Sequence, residues 1–68
     1  MKNTLKVERA KNNMTQAGLA EKIKVSRQTI NSIEIGKYIP STLLALKIAA
    51  VFNSRVDEIF TLENKDLE

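Results

Sequence analysis

The sequence predicts a small all-α domain of five short helices, and three features carry that prediction. Hydroxyl residues stand at Thr15, Ser26 and Ser41, each just before a segment whose apolar residues recur at helical spacing. Residues that tolerate a left-handed backbone or end a helix, Asn12-Asn13, Gly36 and Asn53, fall between those segments. Sixty-eight residues leave room for one domain only, which buries roughly 60 per cent of its unfolded surface.

The first helix is expected from about Thr4 to Lys11, with Leu5 and Ala10 inward. Met14 then precedes Thr15, where it can touch the first turn of the next helix. In that second helix Leu19, Ala20 and Ile23 share one face, and the small Ala20 lets the following helix cross closely. Ser26 caps the third helix, turning Ile30 and Ile33 inward while Arg27, Gln28, Asn31 and Ser32 spread over the opposite side. That outward face offers forked and amide groups that match base edges in a major groove, and it carries no carboxylate to repel phosphate. From these residues alone, the solvated side of an amphipathic helix is the competing reading.

Pro40 enforces an extended approach to Ser41, which caps a fourth helix from about Thr42 to Phe52. This helix is apolar on almost every side, with Lys47 its sole charge. A last short helix runs from about Arg55 to Phe60. The apolar surplus of the last two helices reads as a dimer surface made of Leu43, Val51, Ile59, Phe60 and Leu62, with core packing as its rival.

Composition narrows the function. With no cysteine and no histidine, disulfides, thiolate or zinc sites and histidine-based acid–base catalysis are excluded, and neither a metal nor another cofactor is expected. Asp57 and Glu58 are adjacent and diverge on a helix, so they suggest no catalytic pair and the chain does not read as an enzyme. No apolar run reaches the roughly 20 residues of a membrane span. A cytoplasmic protein is expected. The formal net charge is +3, with basic residues dominating up to Lys37 and acids gathered at the end, so the basic half is the expected nucleic-acid side.

Thr15-Gln16, Leu19-Ala20, Val25-Ser26-Arg27-Gln28-Thr29-Ile30 and Ile33-Glu34 with Gly36 resemble the helix-turn-helix of the Cro/phage-repressor-like (Xre) family of bacterial DNA-binding proteins. The likeness runs from about Leu5 to Phe60 and includes the Lys37-Tyr38-Ile39-Pro40-Ser41 loop. It implies a five-helix lambda-repressor-like domain over residues 1–62, with the helix-turn-helix at helices 2 and 3 and a frayed polar tail at 63–68. It also implies that Gln28 and Ser32 read bases, that Arg27 reads guanine or holds phosphate, and that Asn31 serves either purpose. Gln16, Thr29, Lys37 and Tyr38 are the expected backbone-positioning residues, with Gln16 also expected to brace the recognition helix and Tyr38 equally able to pack over Pro40. Arg9 and Glu34 are expected to form a structural ion pair.

The resemblance points to a homodimeric repressor of double-stranded DNA whose half-sites lie about 34 Å apart. An antitoxin or adaptor that binds a protein partner through the same fold is the alternative. The sequence departs from the family pattern at three places: Gly18 inside the second helix, Lys24 where glycine usually makes the turn, and Asn53 where glycine usually ends the fourth helix. Gly18 costs about 1 kcal/mol against a good helix former. A positive φ at Lys24 adds strain of about the same size.

Overall fold

The computed structural model describes residues 1–68. Five α-helices follow one another, α1 (Leu5–Lys11), α2 (Gln16–Ile23), α3 (Arg27–Glu34), α4 (Thr42–Val51) and α5 (Val56–Ile59). They are framed by two short antiparallel strands, β1 (Lys2–Asn3) and β2 (Phe60–Thr61), with Lys2 opposite Thr61 and Asn3 opposite Phe60. No helix is long and apolar enough to cross a membrane.

The hydroxyl caps set the starts of α2, α3 and α4. Thr15 accepts from the Gly18 N–H at 2.9 Å, Ser26 from Thr29 at 3.1 Å and Ser41 from Leu44 at 3.2 Å. α1 begins differently, at Leu5. Thr4 makes no side-chain cap, and the Asn3 Oδ1 accepts from the Leu5 N–H at 3.1 Å while its Nδ2 donates to the Ile33 carbonyl at 3.0 Å. Asn3 thus pins the first strand to the end of α3.

The breaks fall where the backbone turns left-handed, at Asn13 (φ 51°), Lys24 (φ 63°), Gly36 (φ 81°) and Asn53 (φ 51°). At Lys24 the turn releases the chain so that the Val25 N–H reaches back to the Ala20 carbonyl at 3.0 Å, and α3 begins three residues later. Gly18 sits against the α2 cap, where a Cβ would lie 3.2 Å from the Thr15 Oγ1.

One continuous core collects Leu5, Leu19, Ala20, Ile23, Ile30, Ile33, Leu44, Ala45, Ile48, Ala49, Phe52, Ile59 and Phe60, with Met14, Val51 and Val56 packed on its edge. Three expectations need correction here. Ala10 is exposed and does not turn inward. Ile59 and Phe60, expected on a dimer surface, are only 1% and 7% exposed, because α5 is a single turn whose apolar side closes the core and Phe60, the residue after it, pairs in β2. Residues 63–68 were expected to fray, yet Asn64–Leu67 form a 3-10 turn. The Met1 amino group lies 2.9 Å from the Glu63 Oε1 and 3.0 Å from the Asp66 Oδ2, which draws both ends of the chain together.

Of the remaining expected surface residues, Leu43 is 65% and Leu62 is 62% exposed, while Val51 is half-buried. The apolar side chains of this region that reach solvent beside Leu43 are Ile39 and Leu46, since α4 buries Leu44, Ala45, Ile48 and Ala49 on its other side.

Candidate nucleic-acid interface

α3 is a strongly two-sided helix. Ile30 and Ile33 are sealed in the core, which fixes the helix rotation and turns Arg27, Gln28 and Asn31 to solvent, with Ser32 half-buried at their edge. Gln28 stands between two recesses. One, of about 200 Å³, is lined by Gln16, Arg27, Gln28 and Asn31. The other, of about 300 Å³, is lined by Gln28, Thr29, Ser32 and Tyr38. Every expected α3 reader therefore borders one continuous surface, and Gln16 and Tyr38 join it from the elements before and after.

The loop after α3 is tied to the helix rather than hanging from it. Lys37 and Tyr38 both donate their backbone N–H groups to the Ser32 carbonyl, at 2.9 and 3.1 Å. The Tyr38 N–H thus already has an acceptor, so the phenol is the group Tyr38 has to offer a phosphate. The Thr29 hydroxyl is likewise engaged, 2.9 Å from the Ser26 Oγ. Lys37 and Tyr38 are exposed.

The one carboxylate on α3 turns away from this surface. Glu34 receives the Arg9 guanidinium in a fork, Nε to Oε2 at 2.5 Å and Nη2 to Oε1 at 3.0 Å, and its side chain is only 6% exposed. The remaining Arg9 nitrogen donates to the Met14 carbonyl at 2.9 Å, so a single side chain joins α1, the loop before α2 and the end of α3. Burial pushes the Glu34 carboxyl pKa up, but hydrogen bonds from Arg9 and Gln16 and the charges of Arg9 and Lys6 outweigh it, holding the group below its ordinary value. The same contact raises Arg9. α3 therefore meets solvent without a net negative charge.

Gln16 ties the start of α2 to α3, the bracing that the resemblance implies. Its Nε2 donates to the Asn31 Oδ1 at 3.1 Å and to the Glu34 Oε1 at 3.2 Å, which braces the first turn of α2 on α3. The register that brings these groups together depends on the crossing angle of the helices.

A helix-turn-helix family model matches residues 5–59, spanning all five helices. The chain belongs to the Cro/phage-repressor-like helix-turn-helix family. It is 53% identical over 66 residues to an uncharacterized HTH-type transcriptional regulator of Methanocaldococcus jannaschii, covering 97% of this chain and all of that one. It is 48% identical to another so described from Archaeoglobus fulgidus, covering 98% of this chain and 94% of the relative. The Bacillus subtilis HTH-type regulator YgzD is 44% identical, with 97% of this chain and all of YgzD covered. Within this family the α2–turn–α3 unit of Gln16–Glu34 is the helix-turn-helix.

Proposed function

We propose that the chain is a sequence-specific regulator of transcription that binds double-stranded DNA as a homodimer and represses by occupying its operator. The observation that carries the reading is the outward row of Arg27, Gln28 and Asn31 on a helix locked from behind by Ile30 and Ile33. Family membership and relatives described as transcriptional regulators support it.

In this reading α3 enters the major groove, where Arg27, Gln28, Asn31 and Ser32 meet base edges and Lys37, Tyr38, Thr29 and Gln16 border the backbone. The pairing of Glu34 with Arg9 keeps the approach free of repulsion. Ile39, Leu43 and Leu46 form the apolar side chains on which a second copy docks, replacing Ile59 and Phe60 in that role.

Titration of a bound duplex separates base reading from positioning. Gln28→Ala or Arg27→Ala relaxes sequence preference, whereas Lys37→Ala weakens all duplexes alike and flattens the salt dependence by about one unit. Substitutions that leave both preference and salt slope unchanged contradict the reading. Residues Met1, Ile39, Pro40, Ala45, Leu46 and Phe60 also line an apolar groove of about 340 Å³. If the purified chain stays monomeric at every concentration, that groove favours the second reading, a module that binds a different protein.

A further inference from the structure

The outward row of α3 does not stop at Ser32. The Ile35 N–H donates to the Asn31 carbonyl at 3.0 Å, so helical pairing continues through the residue that closes the helix. In that register Ile35 stands about one turn beyond Asn31 and about two beyond Gln28, on the side opposite the buried Ile30 and Ile33. It is 58% exposed. The chain then leaves through Gly36 at φ 81°, where an added Cβ would meet no atom within 4 Å, and Lys37 and Tyr38 fold back onto the Ser32 carbonyl. Nor does Ile35 belong to the apolar groove of Ile39, Leu46 and Phe60. In the recess it does border, Met1 is the only other hydrophobic residue, among Lys2, Asn3, Glu63 and Lys65.

We propose that Ile35 is a specificity-determining residue that reads thymine, its side chain meeting the C5-methyl group in the major groove about three base pairs from the pair read by Gln28. The proposal rests on the reading of α3 as the groove-entering helix and deepens it by naming a base. That methyl is the apolar group a base pair shows in the major groove. Arg27, Gln28, Asn31 and Ser32 would each have to bring a polar group out of water to cover it, whereas Ile35 removes only apolar surface. The spacing follows from the helix. Seven residues at a rise of about 1.5 Å span about 10 Å, or about three base-pair steps of 3.4 Å. Glu34, the neighbour of Ile35, is paired with Arg9 and so adds no free carboxylate beside the contact.

The test compares duplexes that differ by one methyl group. In a site that the wild-type chain has selected from a random pool, each thymine is replaced in turn by deoxyuridine, which keeps every donor and acceptor and removes only the C5-methyl. Gln28→Ala identifies the position that Gln28 reads. About three base pairs away, one deoxyuridine replacement weakens wild-type binding about fourfold, the worth of one buried methyl group. Ile35→Ala, which leaves the core intact, binds the thymine and deoxyuridine duplexes alike at that position, and Ile35→Val keeps most of the difference. A selected site with no thymine there, or a deoxyuridine penalty that Ile35→Ala leaves undiminished, overturns the proposal. So does an Ile35→Ala that weakens every duplex equally, because that is the mark of a backbone or structural contact. In each of these cases the groove reading stands if Gln28→Ala still alters the preference at its own position. Where neither Gln28→Ala nor Ile35→Ala alters the preference for any base, both fail together.

Discussion

Arg9 and Glu34 meet in a two-point contact that joins the first helix to the end of the third, with the Arg9 side chain 13% and the Glu34 side chain 6% exposed. Removing either partner leaves the other charge without its counter-ion in a part-buried site. Arg9→Ala and Glu34→Ala are each expected to lose on the order of 3 kcal/mol of stability. Arg9→Lys recovers little of it, because an ammonium cannot reproduce the fork. Urea unfolding followed by circular dichroism checks this, and a loss below about 1 kcal/mol on Arg9→Ala contradicts it.

The same pair gives a pH dependence of known sign. The Glu34 carboxyl is held below its ordinary 4.5 in the folded chain, so its contribution is complete above the unfolded value. It is lost as pH falls through the folded value. The wild type therefore loses stability below about pH 4.5 more steeply than Glu34→Gln does. Unfolding midpoints measured from neutral pH downward test this, and parallel curves for the two proteins contradict it.

Lys24 occupies the turn between α2 and α3 with φ 63°, a conformation in which a Cβ crowds the following carbonyl. Its side chain is exposed, so Lys24→Gly removes the crowding without opening the core. A gain of about 0.5–1 kcal/mol is expected, visible as a higher thermal midpoint. A lower midpoint means that the lysine stem makes a contact worth more than the strain.

The outward side of α4 is predicted to hold the dimer. Leu46→Glu places a charge beside Ile39 and Leu43 and shifts the chain toward monomer in sedimentation equilibrium. Far-ultraviolet circular dichroism stays unchanged, since Leu46 lies outside the core. An unaltered dimer places the contact elsewhere.

The helices and their caps were legible because Thr15, Ser26 and Ser41 each announce a helix start and Ile30 and Ile33 fix which way α3 faces. The left-handed turn at Lys24 was implied by the resemblance, in which glycine usually makes this turn. Strands of two residues have no periodicity to read, so the pairing of Lys2–Asn3 with Phe60–Thr61 was invisible. Ile59 and Phe60 were misplaced for a related reason. In a one-turn helix an apolar residue shows no face until its partners are known, and here they are core. At the interface, residue types indicated which side chains reach solvent. The bond from Gln16 to Asn31 depends on two helices crossing at a given angle, which spacing along the chain does not encode.

Selection of bound sequences from a pool of random duplex DNA tests the central claim most directly. A short, rigid α3 presented by each of two subunits predicts enrichment of a pseudo-palindrome whose half-sites are centred about one helical turn, or 34 Å, apart. A pool that emerges at low ionic strength with no sequence enriched contradicts it.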